Sequence, residues 1–69
     1  MKNVFSERLY ECRKEKGLSQ TALAEILGVQ QSCISKWERG ATAPDPEDIA
    51  KICKILDVSS DYLLGLKDF

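Results

Sequence analysis

A chain of 69 residues makes one domain with a modest core, from which roughly 3–5 kcal/mol of stability can be drawn. Its composition, 43% hydrophobic and 30% charged, is that of a soluble globule. There is no apolar run near the ~20 residues of a membrane span, nor the basic-then-apolar layout of a secretion signal, so the cytoplasm is expected. The net charge of −1 first argues against nucleic acid, but residues 1–40 carry +2 and residues 41–69 carry −3, a polarity that still offers phosphates one basic face.

The first predicted helix runs from about Val4 to Lys16. Phe5, Leu9 and Cys12 recur at i, i+4 and i+7 on one stripe, while Glu7, Arg8, Glu11 and Glu15 take the other faces. Gly17 ends it by adopting the left-handed cap conformation, and Leu18 follows as an apolar anchor. Ser19 is the expected N-cap of a second helix, Gln20 to Leu27, which buries Leu23, Ala24 and Leu27. Gly28 stops that helix after barely two turns. Only Gly28, Val29 and Gln30 separate it from a third helix, Gln31 to about Arg39, with Ile34 and Trp37 inward and Gly40 at its end. Two short helices joined by a tight Gly-containing turn form a helix-turn-helix pattern. Neither buries much alone, so each must pack on the other and on the first and fourth helices.

Ala41 to Pro44 form a loop. Asp45, Pro46, Glu47 and Asp48 then give a strong helix start: an Asp cap, Pro in the first turn, and acids facing the helix dipole. This fourth helix runs to Leu56 and buries Ile49, Ile52, Cys53 and Leu56. Val58 leads to Ser59, a further N-cap, and a short fifth helix from Ser60 to Leu64 stops at Gly65. Cys12, Cys33 and Cys53 are about twenty residues apart, with no C-x-x-C and no histidine in the chain. That pattern disfavours a disulfide framework, a zinc site and histidine-based catalysis. With no phosphate-binding glycine loop either, neither an enzyme nor a cofactor is expected.

The stretch Gly17-Leu18-Ser19-Gln20, Leu23-Ala24, Leu27-Gly28-Val29 and Ile34-Ser35-Lys36-Trp37-Glu38-Arg39-Gly40 resembles the phage repressor and Cro type of helix-turn-helix protein. The ending Leu56-Asp57-Val58-Ser59-Ser60-Asp61-Tyr62-Leu63-Leu64-Gly65 matches that family too, so the resemblance covers nearly the whole chain. It implies an all-α, five-helix, repressor-like DNA-binding domain over residues 1–69. Its third helix would read the major groove of double-stranded DNA. The function implied is sequence-specific transcriptional regulation, as a repressor. Gln31, Ser32, Ser35 and Lys36 become base contacts: Gln31 suits adenine N6 and N7, and Lys36 suits guanine O6 or N7. Gln20, Arg39 and Thr42 become phosphate contacts, with the Ala41 and Thr42 amides beside them. Arg13 and Glu38 match positions that tie the first helix to the third by a salt bridge in relatives.

Some positions keep two readings. Trp37 is a core residue whose indole N–H could also meet a phosphate. Cys33 faces either DNA or the core. Tyr62, Leu63, Leu66 and Phe69 either form a homodimer surface or pack back onto Phe5 and the first helix. Gln30 stands where relatives place Ser or Thr, which leaves the reading helix without its usual cap. The loop Ala41 to Pro44 lacks the Lys or Arg common there. The acidic second half keeps open an alternative use of the same fold, as a protein-interaction module or antitoxin-like partner.

Overall fold

Four of the five helices begin where a side chain supplies an acceptor for their free amides. The computed structural model describes residues 3–68 and contains α1 (Val4–Glu15), α2 (Gln20–Leu27), α3 (Gln31–Arg39), α4 (Pro46–Leu56) and α5 (Ser60–Leu63). Ser19, Asp45 and Ser59 cap α2, α4 and α5, accepting from the amides of Ala22, Asp48 and Tyr62 at 3.0, 2.8 and 3.1 Å. The cap of α1 is reciprocal. Asn3 Oδ1 accepts from the Ser6 amide at 2.9 Å, and Ser6 Oγ accepts from the Asn3 amide at 2.8 Å. Gln30, before α3, makes no side-chain cap. The ends of α1 and α5 fall one residue earlier than periodicity suggests, at Glu15 and Leu63, as expected of fraying last turns.

The helices converge on one apolar cluster. Leu9 and Cys12 from α1, Leu23, Ala24 and Leu27 from α2, Ile34 and Trp37 from α3, and Ile52 and Leu56 from α4 are all buried. Each large side chain so buried contributes about 1.5–3 kcal/mol relative to an exposed one. Ile49 and Cys53, predicted on the buried face of α4, are only half-buried. The α2–α3 pair makes the most extensive helix-helix packing, and α1 lies against both α3 and α5. Ala24 is 3% exposed, and its small side chain permits the close approach of α2 to its neighbours. Val29 sits in the turn and packs against the cluster.

Of the two readings of Leu63, the homodimer surface is the one the structure corrects. It is fully buried and belongs to the core, so it offers nothing to a second chain. A helix of four residues is too short for periodicity to show which face is covered. Tyr62 is half-buried, with its ring beneath the Arg8 guanidinium at 4.3 Å. Arg8 Nη1 also donates to the carbonyls of Tyr62 and Lys67, each at 2.6 Å. Arg8 therefore straps the C-terminal segment onto α1.

Two glycines with positive φ separate backbone strain from crowding. Gly28 has φ +76 and open space where a Cβ would stand; Gly65 has φ +83 and would place a Cβ 2.9 Å from Val4 Cγ1. Alanine at either position carries the left-handed cost of about 1–2 kcal/mol. Gly65→Ala must also displace Val4, so urea unfolding should show a larger loss for Gly65→Ala than for Gly28→Ala. Equal losses would mean that Val4 yields without cost.

Candidate nucleic-acid interface

The two faces of α3 are set by its own periodicity. Ile34, Trp37 and Glu38 recur at i, i+3 and i+4 and turn inward, with exposures of 0%, 6% and 5%. Ser32, Lys36 and Arg39 consequently lie on the outside, with Gln31 exposed at the helix start. Ser35 is half-buried, and its carbonyl accepts a long 3.4 Å bond from Arg39 Nε. Cys33 is half-buried and packed against the core, as is Trp37 more deeply. At the start of α3, Ser32 Oγ donates to Gln30 Oε1 at 3.4 Å.

Beneath the first turn of α3 lies a connected set of polar groups. Arg13 binds Glu38 in two-pronged fashion, Nε to Oε2 at 2.6 Å and Nη2 to Oε1 at 3.1 Å, while Nη1 donates to the Leu18 carbonyl at 2.7 Å. Both side chains are 6% exposed. The Glu38 hydrogen bond raises the Arg13 pKa above its ordinary value, although burial opposes this. Such a pair gives little net stability, yet losing one partner strands a buried charge. Gln20 Nε2 donates to Glu38 Oε1 at 2.9 Å, and Gln31 Nε2 donates to Gln20 Oε1 at 2.5 Å. The first residue of α2 thus supports the first residue of α3. No buried side-chain N or O among the described residues lacks a partner.

An open cleft of about 500 Å³ adjoins this set, and Lys14, Ser19, Gln20, Thr21 and Gln31 are among its lining. Lys14 escaped sequence reasoning because nothing in the α1 pattern distinguishes it from other solvent-facing charges. Thr42 is exposed in the loop after α3. The Ala41 amide is already committed, donating to the Lys36 carbonyl at 2.9 Å in the cap of α3, so it is not a spare donor for a phosphate.

At the opposite end, Leu66 is 72% and Leu64 47% exposed. Phe69 lies outside the described residues. Leu64 borders an apolar groove of about 720 Å³ between α4 and α5, with Pro46, Ile49, Ala50, Cys53 and Val58 also on its walls. All three cysteines are free. Burial raises the Cys12 and Cys53 thiols above their ordinary pKa, with Glu15 and Glu11 adding to the shift at Cys12. Among the described residues no His/Cys/Asp/Glu group could hold a metal ion, and no helix is long and apolar enough to cross a membrane.

Two short helices at a tight turn, the second with its polar side outward, define a helix-turn-helix protein. The chain belongs to the helix-turn-helix family HTH_3, which matches residues 9–63. Among its relatives, the SPbeta prophage-derived HTH-type transcriptional regulator YonR of Bacillus subtilis (strain 168) is 43% identical over 61 residues, covering 88% of this chain and 56% of the relative. Repressor protein C2 of Salmonella phage P22 is 39% identical over 61 residues, covering 88% of this chain and 28% of the repressor. The chain spans about half the length of the B. subtilis relatives it matches, 56% and 53%. Its fold superposes on the P22 c2 repressor in complex with synthetic operator 9T at a TM-score of 0.83, with 37% identity over 90% of this chain and 94% of the other. The SinR regulator for biofilm formation, in complex with DNA, gives a TM-score of 0.80 at 41% identity over 87% of this chain and 97% of the other.

Proposed function

We propose that this chain is a sequence-specific DNA-binding module of a transcriptional regulator, acting as a repressor, with α3 in the major groove. The observation that carries this reading is the outward polar face of α3, held proud of the core by Ile34 and Trp37 and braced by Glu38. Gln31, Ser32 and Lys36 are the base contacts, and half-buried Ser35 is a lesser one. Gln20, Arg39 and Thr42 hold phosphates, with Lys14 beside Gln20 in the cleft at the start of α2. Likeness to a repressor solved on its operator supports the same placement here.

One reading helix touches few bases, so the functional unit is a homodimer on half-sites about 34 Å apart. Leu64, Leu66 and the α4–α5 groove form its interface, in place of the buried Leu63. Selection of bound duplexes from a random library at low salt tests the proposal. Wild-type protein is expected to enrich a two-fold symmetric motif, and Gln31→Ala to relax one or two positions in each half, at a cost of about 1–3 kcal/mol on the preferred site. Failure to enrich any motif would overturn the proposal.

A further inference from the structure

We propose that Glu38, which no solvent-side contact would suggest, is a positioning residue that sets which base Gln31 accepts. The inference rests on the reading of Gln31 as a base contact and deepens it. A carboxylate only accepts hydrogen bonds, whereas the end of a glutamine both donates and accepts. Glu38 Oε1 therefore requires the nitrogen end of Gln20, at 2.9 Å. Once Nε2 of Gln20 is so fixed, its Oε1 is turned to Gln31 and requires the nitrogen of that amide in turn, at 2.5 Å. Arg13 maintains the first member of the chain, since its two bonds at 2.6 and 3.1 Å hold both oxygens of the buried carboxylate in place. The position of one buried carboxylate is thereby converted into the orientation of an exposed amide.

That orientation has a consequence for base choice. One Nε2–H of Gln31 is spent on Gln20, which leaves one N–H and Oε1 for the groove. Adenine presents an N6 donor and an N7 acceptor, and matches that pair. Guanine presents two acceptors, N7 and O6. It would set its O6 against Oε1 with a single N–H to share. Gln31 held in this way favours adenine over guanine; Gln31 released from Gln20 can turn its amide and offer both N–H groups.

Library selection read position by position tests the inference, comparing wild type, Gln31→Ala, Gln20→Met and Glu38→Gln. At the position that Gln31→Ala erases, wild type should prefer adenine, and Gln20→Met and Glu38→Gln should each lower the adenine-to-guanine ratio about tenfold while leaving other positions alone. Circular dichroism accompanies each variant. Gln20→Met keeps the Arg13–Glu38 pair, so it decides the matter if Glu38→Gln does not fold. If Gln31→Ala erases a preference but Gln20→Met lowers affinity uniformly at an unchanged ratio, Gln20 is a phosphate clamp alone and the positioning role is overturned. If Gln31→Ala changes no position, the reading of Gln31 itself fails, and the role of Glu38 with it.

Discussion

Replacing Glu38 by alanine is expected to cost about 3–5 kcal/mol and to leave little folded protein at 25 °C. The magnitude follows from what remains. Arg13 is 5% exposed, its pKa is raised by the very hydrogen bond being removed, and only the Leu18 carbonyl would still accept from it. A stranded guanidinium in that setting consumes nearly all the stability that a core of this size can offer, roughly 3–5 kcal/mol. The double replacement Arg13→Met with Glu38→Leu removes both charges together and should recover most of the loss, because the cost lies in the unpaired charge. Urea unfolding of the two single variants and the double variant gives the comparison. A double variant no more stable than the singles would show that the ion pair itself, with its bonds to Gln20 and Leu18, holds α1 to α3.

Ile34→Ala is expected to lower stability by about 2–5 kcal/mol. Ile34 is the fully buried residue of α3 and packs in the cluster with Leu9, Leu23 and Ile52, so its loss leaves a cavity under α3. Binding to a selected duplex should fall with the folded fraction and recover when saturating DNA drives folding. Lys36→Ala provides the contrast. Lys36 is exposed, so its truncation should leave the unfolding curve within about 0.5 kcal/mol of wild type while weakening binding. Stability and affinity changing together in both variants would argue that Lys36 supports the fold instead of touching DNA.

Local rules account for most of what the sequence made legible. The stops at Gly28 and Gly40 and the starts at Ser19, Asp45 and Ser59 are single-residue signals whose physics acts within one turn, and they fix the helix boundaries. The inward placement of Ile34 and Trp37 on α3 follows from spacing alone. Contacts between distant positions do not announce themselves in this way. Arg8 and Tyr62 meet across 54 positions, and nothing in either local pattern pairs them. The Gln20–Gln31 bond spans 11 positions and depends on the angle between α2 and α3, which no periodicity encodes. Arg13 and Glu38 could be paired only through resemblance, since charged residues at those spacings are ordinary surface residues until the fold covers them. Leu63 keeps two readings in the sequence for the complementary reason: a terminal apolar residue on a one-turn helix looks the same whether it packs inward or meets a partner.

The most direct test is an NMR titration of the labelled protein with a duplex recovered by selection. Amide shifts should concentrate at Ser19 to Thr21, at Gln31 to Lys36 and around Thr42, while those of Ile49 to Cys53 move less. Perturbations gathered on α4 and α5, with the Gln31, Ser32 and Lys36 signals unmoved at saturation, would contradict the placement of α3 in the groove.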